Sequence, residues 1–358
     1  MKKRSFYRIG FVAVFVAVLG FASMAAQGAD FTPKKEYKLS LVVGPTFPWG
    51  EGAEMFADLV REKTNGKINI KVYYGGQLFK GEQTSEFQLM SLGAIDFAFG
   101  STINWSGVIP ELNVFSLPFF VRNYDRLDRL EQSKVGQHLF DLMETKGVHP
   151  LAWAENGFRQ ITNSAHPIVK PEDLEGLKIR VVGSPIFIDI YRQLGADPVN
   201  MNWGDATTAF AQGVVDGQEN PAGVLVPASI WEYHKYATFW DYLVDPVVVS
   251  VSGRVWDTFP PEIQKKVQAA ATEAARWEKA MVRRGLDDGK ALKVLQEYDT
   301  DLKFTNYVDY LGSKGMEVTV LDDAQQQVFR DALQPVYDKW VSEIGEELVD
   351  NARAAMAE

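Results

Sequence analysis

Apolar residues alternate with polar ones in a strand-like period at several points along the chain, and helical periods separate those points. The first is "YKLSLVVG" (37–44), which predicts a strand that ends in a turn at Pro45–Pro48. A helical period follows over 49–63. A second strand, "KINIKVYY" (67–74), stops at Gly75-Gly76. The next stretch, "GEQTSEFQLMSLG" (81–93), fits a helix with Phe87, Met90 and Leu89 inward, and "IDFAFGS" (95–101) reads as a third strand. The same grammar returns further on. "VHPLAWAE" (148–155) and "LKIRVV" (177–182) read as strands, 184–194 as a helix, "GADPVNMN" as a strand and "WGDATTAFAQG" as a helix. "VDGQENP" (215–221) is then a strand end or loop, and "VVVSVSGRVW" after Pro246 another strand. A long Ala-rich helix starts at Pro260-Pro261-Glu262, where prolines suit a helix start, and helices continue to the C-terminus, one over 322–344.

Strand–helix alternation predicts an α/β protein with mainly parallel sheet in two units. The expected layout is residues 30–156 plus about 246–286 in one lobe and 157–245 plus about 287–358 in the other. Ligands of such open sheets sit beyond the carboxyl ends of the strands, here Thr46–Trp49, Ser101–Trp105, Arg159, Gly183-Ser184 and Asn220.

One position breaks the pattern. Arg180 stands inside the apolar strand "KIRV", where a guanidinium is costly unless an anion meets it. The anion is either internal, with Glu155 and Glu219 as candidates, or brought in by a ligand. Arg159 in "ENGFRQITNS" is a second arginine near a strand end. Trp49, Trp105, Trp153, Phe158 and Trp203 lie near these points in the chain, as does the polar run Gln218-Glu219-Asn220. Arginine's planar fork matches a carboxylate in two parallel hydrogen bonds, so fixed cations, amides and flat apolar walls describe a site for a small organic anion. The competing reading of each ring is ordinary core packing.

Charge and composition narrow the partners. The formal net charge is −10. The N-terminus holds Lys2, Lys3, Arg4 and Arg8, then an apolar stretch over 9–24 and small residues to Ala29, the layout of a secretory signal peptide over 1–29. Its removal takes four positive charges and no negative ones, so −10 becomes about −14, and nucleic acid is an unsuitable partner. There are no cysteines, which excludes disulfides and thiolate chemistry. Four histidines stand apart from metal-ligand spacing, and no nucleophile elbow, phosphate loop or dinucleotide fingerprint occurs, so no enzyme, metal or cofactor is expected.

"ENGFRQITNSAHPIVKPEDLEGLKIRVVGSP", with "VVDGQENP" some 36 residues after Arg180, resembles the DctP-type substrate-binding proteins of TRAP transporters (tripartite ATP-independent periplasmic transporters). "GGQL" (75–78), "LGAIDFAFGS" (92–101), "FSLPFFVRNYD" (115–125) and "FPPEIQKKV" (259–267) extend the resemblance over nearly the whole mature chain. It implies two α/β lobes with a long helix spanning both, a ligand cleft between them and no catalysis. It implies a periplasmic protein that passes a small organic acid to the large and small membrane subunits of a permease; apart from the resemblance, a monomer is expected, with a dimer through the C-terminal helices as the alternative. The ligand's carboxylate then belongs to Arg180, with Arg159 as second cation, Asn220 as hydrogen-bonding amide and Trp203 as packing ring. First-lobe contacts fall on Trp49, on Glu82 or Gln83, and on Ser101 to Trp105. Phe158, Gly183 and Ser184 complete the candidate set. Asp205 replaces a customary glutamate, and this chain lacks the glutamate near Ser101 and the polar residue near Gly183 that sialic-acid binders have, which argues against that sugar. The rings favour an aromatic or bulky 2-oxo or amino acid, or a sugar acid, over a C4-dicarboxylate. The alternative role is a sensor lobe signalling to a membrane receptor.

Overall fold

The structure is a computed structural model that describes residues 31–357; the proposed signal peptide lies outside the described residues. Ten strands form it: β1 (Tyr37–Ser40), β2 (Ile70–Tyr73), β3 (Phe97–Ser101), β4 (Val148–Asn163), β5 (Lys178–Val181), β6 (Asp197–Asn200), β7 (Gly217–Pro221), β8 (Tyr236–Phe239), β9 (Val244–Ser252) and β10 (Glu317–Val320). Their order is β2-β1-β3-β9-β4-β7-β5-β6, and β8, carrying β10, joins β4.

The two-lobed α/β architecture is present, with one refinement. Within each lobe β1, β2 and β3, or β5, β6 and β7, run parallel, as strand–helix alternation requires. The strands that join the lobes are antiparallel: β9 to β3 and β4, and β4 to β7 and β8. "VDGQENP" is therefore a strand through Pro221 rather than a loop, and the strand read over 148–155 continues to Asn163. The helix expected over 81–93 is confined to Glu86–Ser91, after two short 3-10 turns.

β4 is the main crossing element. Its first part pairs with β9 and its last five residues with β7. A bulge falls at Glu155–Gly157, near the end of the part paired with β9. Gly157 has φ +115°, and a Cβ there would lie 2.9 Å from Val282, so only glycine lets the strand bend under the long helix Pro261–Arg283. That helix packs on helix Pro48–Lys63 of the first lobe and along β4. The C-terminal segment touches both lobes: helix Asp323–Ile344 lies on helix Pro185–Gln193, while Glu346–Ala357 lies on helices Tyr124–Gln132 and Lys134–Thr145. The second lobe carries apolar clusters around Ile179, Ile190 and Trp240, and around Phe210, Ile230 and Tyr307.

Candidate functional site

The bend in the middle of β4 faces the ends of β3, β5 and β7 across one cleft. A small cavity of about 30 Å³ remains there between the lobes. Its apolar walls are Val42, Val43, Val182 and Val224 with the rings of Trp49 and Trp203. Its polar lining is Gln83, Ser101, Asn104, Asn156, Arg159, Arg180, Asn220 and Asp245.

Arg180 is 2% exposed. Its Nε and Nη2 both donate to the Met201 carbonyl, at 2.9 and 2.6 Å, and its guanidinium lies 5.7 Å from the centroid of the Trp203 indole. No carboxylate among the described residues forms an ion pair with it. Glu219 goes to Arg159, and Glu155 to Arg283 at 2.6 Å, so neither internal candidate takes Arg180. Burial drives the Arg180 guanidinium down to about 10, Glu219 opposes this, and the neighbouring Arg159 cation adds to it. The group still carries its charge at neutral pH.

Arg159 has the opposite environment. Its Nε and Nη2 form a fork on the Glu219 carboxylate, the second bond 2.8 Å long, and Nη1 donates to Asp245 Oδ2 at 3.1 Å. Nη2 also reaches Asn220 Oδ1 at 3.1 Å. Burial alone would lower its pKa, but Glu219 and Asp245 outweigh that and raise it. Asp245 is tied in further, accepting from Ser101 Oγ at 2.6 Å and from Asn156 Nδ2 at 2.8 Å. Burial pushes the Asp245 carboxyl up, against the pull of Arg159, Ser101 and Asn156. The Tyr242 hydroxyl donates to Glu219 at 2.9 Å, and the Asn220 amide donates to Gln218.

Other expected contacts fall elsewhere. Phe158 lies one residue from Arg159 and so on the opposite strand face, its ring 5.0 Å from Tyr124. Trp105 is fully buried in the first-lobe core against Phe87 at 5.2 Å, with its indole N–H on Glu86. Trp153 stacks on Phe140 at 4.4 Å. Glu82 is exposed, and its neighbour Gln83 lines the cavity instead. Gly183 and Ser184 lie outside the cavity lining: Gly183 sits against Thr84, and the Ser184 hydroxyl is 3.3 Å from that of Ser106, a contact between lobes. Asn156 and Asp245 had no place in the sequence reading. Asp245 carried the signal that exposed Arg180, a charge inside an apolar strand ("VDPVVVSVS").

A buried guanidinium at the mouth of a two-lobed α/β cleft, with tryptophan walls, defines a binding protein for a small solute. Residues 39–343 match the family described as bacterial extracellular solute-binding protein, family 7 (DctP), and the chain belongs to that family. A TRAP periplasmic solute-binding protein from Ralstonia eutropha H16, solved with (S)-2-acetolactate bound, is 46% identical with a TM-score of 0.83, over 90% of this chain and 99% of that one. The C4-dicarboxylate-binding periplasmic protein DctP of Rhodobacter capsulatus is 29% identical, over 90% of this chain and 91% of its own length. The 2,3-diketo-L-gulonate-binding periplasmic protein of Escherichia coli K12 is 29% identical, over 91% and 96%. Family and relatives are substrate-binding transport proteins.

Proposed function

We propose that this protein captures a small organic acid in the periplasm, without chemical change, and delivers it to the large and small membrane subunits of a TRAP permease. Arg180 is the cation that meets the ligand's carboxylate. The observation that carries this reading is a guanidinium 2% exposed whose hydrogen bonds go to one backbone carbonyl and whose charge has no internal partner among the described residues. Such a charge is stable in a dry cleft only with an anion beside it.

Trp203 stands over Arg180 and supplies a flat wall, and Trp49, held by its indole N–H on the Phe99 carbonyl at 2.8 Å, supplies another. Arg159 and Asn220 shape the floor rather than carry a free charge. The lobes open to admit the acid and close by hinge motion at the β4 bend, presenting a changed surface to the permease. The Ralstonia relative's ligand is a compact branched acid, which supports a small branched 2-hydroxy or 2-oxo acid here ahead of a sugar acid. The reading also includes removal of residues 1–29 on export and a monomer in solution.

A thermal-shift panel on the mature protein, refolded to strip carried ligand, tests it. Branched 2-hydroxy and 2-oxo acids, aromatic acids, sugar acids, C4-dicarboxylates and amino acids form the panel, beside neutral sugars, amides and amines. A ligand at 100 times its dissociation constant adds about 2.7 kcal/mol of stability. Hits confined to carboxylates support the reading. Hits confined to neutral or cationic solutes overturn it.

A further inference from the structure

The cleft contains two guanidinium groups and two carboxylates, and they do not pair one to one. Both carboxylates go to Arg159, and Arg180 gets none. Every nitrogen of Arg159 already donates: Nε and Nη2 to Glu219, Nη2 also to Asn220, and Nη1 to Asp245. Asp245 is itself a lining residue, and both its oxygens are engaged, Oδ1 by Ser101 and Oδ2 by Asn156 and Arg159. Away from this group the lining is uncharged: Val42, Val43, Val182 and Val224, the rings of Trp49 and Trp203, and the neutral amides of Gln83 and Asn104. No lysine or histidine lines the cavity among the described residues.

We infer that Asp245, acting with Glu219, sets the charge that the cleft accepts: their two carboxylates more than offset the single Arg159 cation, so the site takes a monocarboxylate and rejects a dicarboxylate. The inference rests on the reading that Arg180 meets the ligand's carboxylate. A second ligand carboxylate would find no free cation, would exchange its hydration for apolar side chains and neutral amides, and would stand near the Asp245 charge. Like charges brought together in a dry site are the strongest form of discrimination against a wrong ligand. Asp245 is thus a specificity residue that acts through Arg159 and through its own charge, not by holding the carboxylate.

The test compares two ligands of one shape. 2-Hydroxy-2-methylbutanoate and 2-hydroxy-2-methylbutanedioate differ only in a methyl group replaced by a carboxylate. Calorimetry on the mature wild-type protein is expected to give at least about 100-fold tighter binding of the monocarboxylate. Asp245→Asn keeps the side chain's shape and frees part of Arg159, and is expected to shrink that ratio at least about tenfold. Loss of a structural tie alone would weaken both ligands equally and leave the ratio in place, so an unchanged ratio overturns the inference. The wild-type comparison needs no variant to fold, and equal or tighter binding of the dicarboxylate there overturns it as well. Arg180→Gln separates this from the underlying reading. If it abolishes binding of both acids, the anchor stands whatever the ratio shows. If it leaves both affinities unchanged, the anchor falls, and this inference with it.

Discussion

The side-chain oxygen of Gln83 accepts the backbone N–H of Trp203 at 2.9 Å, joining the first lobe to the second directly beside the cleft. The amide nitrogen of the same side chain holds Asn104 at 2.8 Å, so the glutamine is fixed on its own lobe before it reaches across. Phe47 meets the Trp203 ring edge-on at 6.3 Å in the same seam.

A bond made only when the cleft walls meet contributes to the lifetime of the closed state. Gln83→Ala is expected to cost about 1 kcal/mol of ligand affinity, the net worth of one hydrogen bond, and to appear mainly as faster release. Stopped-flow tryptophan fluorescence measures it. An unchanged release rate would show that the seam does not hold the ligand in.

Trp105 packs in the core and does not reach the ligand. A Cβ at Gly100 would lie 1.7 Å from the Trp105 ring. Gly100→Ala therefore overpacks a rigid site and is expected to destabilise the fold by about 3 kcal/mol, beyond the usual cost of one added methyl. Chemical denaturation gives the number. Trp105→Phe is expected to lower stability while leaving ligand affinity in place, and a large affinity loss would return this ring to the site.

Glu86 gives a pH signature. It is fully buried, accepts from Ser40 Oγ at 2.7 Å and from the Trp105 indole at 3.2 Å, and burial pushes it up to about 8 despite both bonds. The folded protein thus holds a proton that the unfolded chain releases near its ordinary value of 4.5. The folded state binds more protons between those values, so stability falls as pH rises from about 4.5 to about 8. This group's share of the slope is up to about 1.4 kcal/mol per pH unit. Glu86→Gln mimics the protonated acid and is expected to flatten that slope. Denaturation midpoints at pH 5 and pH 8 check it, and an equal slope in both proteins would mean that Glu86 is ionised in the fold.

Much of this was legible in the sequence for stated reasons. Arg180 stands out because a charge interrupts an apolar strand, and the structure buries it with no carboxylate in an ion pair with it among the described residues. The pairing of Arg159 was hidden because its partners lie 60 and 86 residues further on, and strand order decides which carboxylates arrive there. Asp245 carries the same kind of signal as Arg180, but Pro246 masks it: the apolar run after that proline predicts a strand start there, whereas β9 starts at Val244. Phe158 and Trp105 were misplaced because an aromatic residue near a strand end can turn to either face, and sequence alone does not say which. The antiparallel direction of β4 and β9 is not legible for a similar reason. An apolar run has the same periodicity in either direction.

The central claim is that the buried Arg180 guanidinium is neutralised by the ligand's carboxylate. Titration calorimetry of wild type, Arg180→Lys and Arg180→Ala with whichever carboxylate stabilises the wild type most tests this directly. The account predicts a loss of about 2–5 kcal/mol in Arg180→Ala, where the ligand's charge is buried alone. It predicts at least about tenfold weaker binding in Arg180→Lys, which keeps the charge but not the fork. All three proteins binding the acid with equal affinity would contradict it, since the ligand would then be held by other groups.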